Sequence, residues 1–199
     1  MKFRSLATIA LLSALGLAAC GSDAASPAVK APISTTAGDA PATSGAFNNA
    51  DVAFAQGMIP HHEQAIEMAD VALDPTVKAG EKVVDLARRI KAGQDPEIAL
   101  MTDWLTTWGQ PIQVDMSAMD MSAMDGMMSV DEMDSLGKMN AAEFDKMWMT
   151  MMTRHHEGAI AMAETVKTAS SNAEVLTLAD AVISAQKSEI AEMKDLLGG

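Results

Sequence analysis

The chain has 199 residues, of which 49% are hydrophobic and 4% aromatic, with one cysteine, no tyrosine and eighteen methionines. Its formal charge of −13 argues against binding to nucleic acid or to an anionic lipid surface, and fits an attraction for cations. The lone cysteine excludes an internal disulfide and a Cys-x-x-Cys metal carrier, so any soft-metal chemistry must use methionine sulfur and histidine nitrogen.

Residues 1–19 read as a targeting segment. Lys2 and Arg4 form a positive start, and the apolar run from Leu6 to Leu17 is short for a bilayer span and ends in small residues. Leu17-Ala18-Ala19-Cys20 resembles the lipobox of bacterial lipoproteins, which implies cleavage before Cys20 and lipidation of its sulfur. The alternative is an ordinary secretory signal with a chance cysteine. Either way export is expected, to the periplasmic or extracellular side, with membrane attachment by lipid only. Residues 20–46, rich in Ala, Ser, Thr, Pro and Gly, read as the lipidated cysteine and a flexible tether.

Residues 47–199 suit one domain, and the absence of alternating β-branched runs makes it all-α. The first helix is expected from about Asn48 to Leu73, with Phe54, Ala55, Met58, His62, Ala65 and Ala69 on one face and Pro60 as a kink beside the histidines. Asp74-Pro75 reads as the N-cap and first residue of a second helix that runs to Trp108, closed by Gly109 and Pro111. A methionine-rich crossover follows at about 112–139, carrying Met116, Met119, Met121, Met124, Met127 and Met128. On a helical wheel these six scatter and form no stripe, which disfavours simple core filling and suggests thioether ligands on a flexible, sulfur-only loop. Ser129-Val130-Asp131-Glu132 predicts a short helix over Val130 to Leu136. Long helices are then expected from Ala141 to about Thr168, and after Asn172.

The chain is internally duplicated. His61-His62-Glu63-Gln64-Ala65-Ile66-Glu67-Met68-Ala69 returns as His155-His156-Glu157-Gly158-Ala159-Ile160-Ala161-Met162-Ala163, at an offset of 94 residues, and these copies hold all four histidines. Downstream, the run from Leu86 to Met101 returns from Leu178 to Met193. Two copies are too few for a solenoid, so a duplicated helical hairpin packed on itself is expected, with the first and third long helices adjacent and both histidine pairs in one half of the bundle.

In the second copy Met151, His155 and Met162 form one helical column, with Met152 and His156 in the next. Imidazole with thioether suits copper, and thioether alone favours Cu(I), with Ag(I) behaving similarly. The linker methionines are expected to capture Cu(I) loosely and the histidine columns to hold copper more firmly. Gln94 and Gln186 lie in apolar stripes and are expected to find hydrogen bonds there; they, or Glu97 and Glu189, are expected to orient the histidine rings. No Glu stands three residues before a His, so a ferritin-type di-iron site is disfavoured, and Glu63 and Glu157 read as solvated.

Met58-Ile59-Pro60-His61-His62 with Ala65-Ile66 and Met68-Ala69, repeated at His155 to Ala163, resembles the DUF305 family over about Asn48 to Leu197. That resemblance implies a ferritin-like four-helix bundle, export and, for some members, periplasmic copper binding linked to copper resistance. It carries the family's motif onto Met58, His61, His62, Met68, Met152, His155, His156 and Met162. Arg154 stands where the first copy has Pro60. The expected function is copper sequestration, transfer or resistance without catalysis. The alternatives are a metal-dependent redox enzyme on the same bundle and a metal-free interaction domain.

Overall fold

The computed structural model describes residues 46–112, 124–139 and 141–198. Cys20, the targeting segment, the tether up to residue 45, and Met116, Met119 and Met121 lie outside the described residues. Those described form five helices and no strand: α1 (Asn49–Leu73), α2 (Glu81–Thr107), α3 (Val130–Leu136), α4 (Ala141–Ala169) and α5 (Ala173–Gly198). The expected all-α bundle of two helical hairpins, with a short helix in the crossover, is what is observed.

Local chemistry sets most helix ends. Asn48 and Asp51 form a reciprocal capping box at α1, and Ser129 and Glu132 form another at α3. The Asn172 side chain accepts the Glu174 and Val175 N–H groups to start α5. At the end of α2, Gly109 takes a left-handed φ of +65°, and the Gly109 and Gln110 N–H groups reach back to the Thr106 and Leu105 carbonyls. That is a Schellman stop, which glycine adopts without steric cost.

The start of α2 departs from the sequence reading. Asp74 does not cap a helix beginning at Pro75; its Oδ1 accepts the Thr76 N–H and hydroxyl, both at 2.7 Å, and so closes a turn. Lys78 then takes a left-handed φ of 59°, and α2 begins only at Glu81. Its N-cap, Gly80, has no side chain to offer. Asp145 on α4 stands in, taking the Gly80 N–H on both carboxylate oxygens at 2.9 and 3.1 Å. A cap supplied by another helix leaves no local trace in the sequence.

Helix α1 packs on α2 and on α4, and α4 packs on α5. Asn48 bonds to Ala169, His61 lies against His155 and the Met68 carbonyl accepts the Trp148 indole N–H, so α1 and α4 run antiparallel. Burial falls into two apolar clusters. One joins Met68, Leu86, Ile90, Phe144, Trp148 and Met152. The other joins Phe54, Met58, Trp104, Leu105, Ala163 and Val182. His61, His62, Gln94, His155, His156 and Gln186 are buried but belong to neither cluster. They sit at the midpoints of their four helices and form a polar layer between the clusters. The histidine pairs therefore meet at the middle of the bundle and not toward one half of it.

Candidate metal site

The layer is built twice by the same means. His62 Nε2 lies 2.8 Å from Glu97 Oε2, and His156 Nε2 lies 2.8 Å from Glu189 Oε2. Each glutamate sits on the helix that follows its histidine and enters from a partly exposed flank, while the imidazoles have no exposure. A carboxylate only accepts, so Nε2 carries a proton, and in the neutral tautomer it selects the Nδ1 lone pair is the free one. The tautomer of His61 is set in the same way, because its Nε2 donates to the Asp125 carbonyl at 3.2 Å. His61 and His155 lie face to tilted face, with ring centroids 3.8 Å apart.

Five ring nitrogens in this layer are buried without a hydrogen-bond partner: Nδ1 of all four histidines and Nε2 of His155. Leaving that many polar atoms buried and unpaired is costly, and native cores seldom tolerate it. Burial pushes the His61 imidazole down to about 3 even though the Asp125 carbonyl opposes the shift, and His62 and His156 add to the depression. Burial first, and then the neighbouring His61, His156 and His62 rings, hold His155 well below the usual imidazole range. These two rings are therefore neutral at physiological pH, with lone pairs already free of protons. That is the state a transition metal requires of imidazole.

Among the described residues, no three His, Cys, Asp or Glu side chains converge closely enough to hold an ion by themselves. A site here needs thioethers or a movement of the rings. The thioethers are near in helical register. Met58 precedes His62 by one turn, and Met151 and Met152 precede His155 and His156 likewise. Met58 lies in one apolar cluster, and Met68, Met151 and Met152 lie in the other, so sulfur flanks the imidazole layer on both sides. Met162 and Met124 are half-buried. Beside Gly57, Met162 Sδ and the Met124 methyl stand 3.8 and 3.9 Å from where a Cβ would be.

Two expectations need correction. Gln94 is buried, but neither atom of its amide has a partner, and Gln186 Oε1 has none either. Glu97 and Glu189 instead take the histidines, because a charged acceptor binds an N–H more strongly than an amide and stands one turn along the same stripe. The second concerns the methionine run. Its last members are not a loosely held loop: Met127 and Met128 are 4% and 1% exposed, and Met128 packs with Leu136 and Phe144. Val130 to Leu136, a capped helix, holds this end of the crossover in place.

Sequence reasoning missed Gln64, Asp125 and Arg154. The Gln64 amide accepts the Met128 N–H at 2.7 Å and donates to its carbonyl at 2.9 Å. Arg154 donates to Glu132 and to the Met128 sulfur. The available signal was that Gln64 and Arg154 differ from their counterparts, Gly158 and Pro60, in the other copy. Glu63 and Glu157 are exposed as expected, and Glu157 pairs with Lys194.

Fold and site together define a duplicated helical hairpin closed around a buried imidazole layer. The chain belongs to the DUF305 family, a domain of unknown function, whose model matches residues 51–197. A DUF305 protein from Streptomyces coelicolor is 33% identical with a TM-score of 0.68, covering 75% of this chain and 92% of that one. A DUF305 fragment from Deinococcus radiodurans is 29% identical with a TM-score of 0.69, covering 76% and 97%. CopM in its Cu(II)-bound form is 33% identical with a TM-score of 0.65, covering 74% and 95%; CopM is also similar in its Cu(I)-bound and Ag-bound forms. No protein of curated function matches the chain.

Proposed function

We propose that this chain is an exported copper-binding protein that sequesters or transfers Cu(I) and Cu(II), with Ag(I) as a surrogate, and that it works by binding and not by turnover. The observation that carries this is the set of five unpartnered, buried imidazole nitrogens at the bundle's middle. His61, His62, His155 and His156 supply nitrogen, and Met58, Met68, Met151, Met152 and Met162 supply sulfur from either side. Glu97 and Glu189 hold two of the rings in one tautomer, as carboxylates behind metal-bound histidines do. CopM, 33% identical to this chain, has been captured with Cu(II), Cu(I) and silver, which supports the choice of metal. The charge of −13 favours the approach of a cation.

Export rests on residues 1–19, and anchoring on lipidation at Cys20. No described helix is long and apolar enough to cross a membrane. The methionines outside the described residues, Met116, Met119 and Met121, join this reading as looser thioether donors. Competition titration with a Cu(I) chelator tests the proposal. His155→Ala with His156→Ala removes the tight, acid-sensitive class of copper and leaves a weaker class that survives acid, since thioethers do not titrate. Unchanged affinity and pH dependence in that variant would make the histidine layer purely structural.

A further inference from the structure

The two copies of the motif are not interchangeable, and three of the positions at which they differ touch one segment. Met124–Ser129 leads into α3 and crosses the His61–His155 pair, where the Asp125 carbonyl meets His61 Nε2 at 3.2 Å. Position 64 in one copy corresponds to 158 in the other, and both are fitted to this strap. The Gln64 amide brackets Met128 with two hydrogen bonds, at 2.7 and 2.9 Å. Gly158 instead leaves room for the strap's backbone, since a Cβ there would stand 2.0 Å from the Asp125 carbonyl oxygen. Where the first copy has Pro60, Arg154 donates to Glu132 at 2.6 Å and to the Met128 sulfur at 2.7 Å. Where the second copy has Met151, Gly57 leaves space beside Met124 and Met162.

The imidazoles have no exposure, and apolar clusters close the bundle on either side of them. The strap is the described non-helical backbone over the pair. Gly126, at a left-handed φ of +84°, seats the strap against α4, where a Cβ would stand 2.7 Å from the Arg154 carbonyl oxygen, and Met128 pegs its far end in the core. An apolar groove of about 280 Å³ between α1 and α4, lined by Ala50, Phe54 and Val166, reaches Asp125 on the strap and Met162 on α4.

We propose that Met124–Ser129 is a lid over the His61–His155 pair, secured by Gln64 and seated on Gly158, and that it must open for an ion to reach these rings. The histidine layer is common to both copies, whereas positions 64 and 158, which differ between them, hold one asymmetric cover. This rests on the copper-binding reading, but its first test uses no metal. Carbethoxylation of the metal-free protein with diethyl pyrocarbonate, resolved residue by residue by tandem mass spectrometry, reports how often each ring is uncovered. Loss of two hydrogen bonds in Gln64→Ala raises the rates at His61 and His155 about tenfold, with His62 and His156 little changed. Gly158→Ala, acting from the opposite helix, gives the same selective pattern. Equal acceleration at all four histidines, or none in either variant, overturns the lid. So does a higher melting temperature in Gly158→Ala, because alanine favours a helix unless the strap collides with it. Release of bound Ag(I) to a competing chelator accelerates in Gln64→Ala by a similar factor. Failure of the native chain to bind Ag(I) or copper overturns the copper reading instead, and the carbethoxylation pattern then decides the lid alone.

Discussion

Glu97 and Glu189 act on the histidines through a single hydrogen bond each. Replacing either by Gln keeps the shape but gives a group that both donates and accepts, so the neighbouring ring is no longer held with its proton on Nε2. Glu97→Gln and Glu189→Gln are each expected to weaken copper binding by about 10- to 100-fold. Chelator competition on both variants checks this, and equal losses would show that the two copies contribute alike. An unchanged affinity would reduce the pairs to packing. Gln94 makes the opposite case. Its buried amide has no partner, so Gln94→Leu is expected to raise the stability of the metal-free protein by about 1–3 kcal/mol in urea unfolding. A loss of stability on that change would mean that the amide is satisfied after all.

Helix α2 depends on α4 for its first turn. Both oxygens of Asp145 take the Gly80 N–H, and a Cβ at position 80 would stand 2.5 Å from Asp145 Oδ2. Asp51, the counterpart of Asp145 in the first copy, is spent on capping its own helix. Asp145→Ala is therefore expected to cost about 1 kcal/mol, the usual worth of an N-cap, and to lower the melting temperature by roughly 2–4 °C for a domain of this size. Calorimetry checks the shift. Hydrogen exchange confined to the first turn of α2 would identify its cause, whereas a uniform rise across the bundle would contradict it.

At the level of the whole molecule, the histidine layer makes stability depend on acid. His61 is held at about 3 and His155 well below its usual value, chiefly by burial, while both titrate near 6.5 once unfolded. The unfolded chain therefore binds these two protons more readily. The contribution of His61 is fully present above pH ~6.5 and is lost as pH falls toward about 3, at about 1.4 kcal/mol per pH unit; that of His155 is lost in the same direction. Urea unfolding of the metal-free protein from pH 7 to pH 4 is expected to show that steep slope, and His61→Gln with His155→Gln to flatten it. A slope unchanged by the double substitution would place the acid sensitivity elsewhere. On the proposed copper binding, a bound ion acts in the other sense. An ion at 100 times its dissociation constant adds about 2.7 kcal/mol of stability and moves the acid transition to lower pH.

What the sequence determined by itself was local or periodic. Capping residues and the 3.6-residue period bounded α1 and α3, and the doubled motif implied that α1 and α4 meet through their histidines, because each of these is written within a turn or two of chain. The tertiary structure alone decided which groups meet across helices. Periodicity tells which face a residue lies on and not what arrives there from the neighbour, so Gln94 and Glu97, one turn apart on a single stripe, were equal candidates until packing brought the carboxylate to His62. The cap on α2 comes from Asp145, 65 residues away from Gly80, and has no signature near it. Met127 and Met128 share a run with Met124 yet lie in the core, because the Ser129 capping box and the bracket of Gln64 draw that end of the run onto α1 and α4.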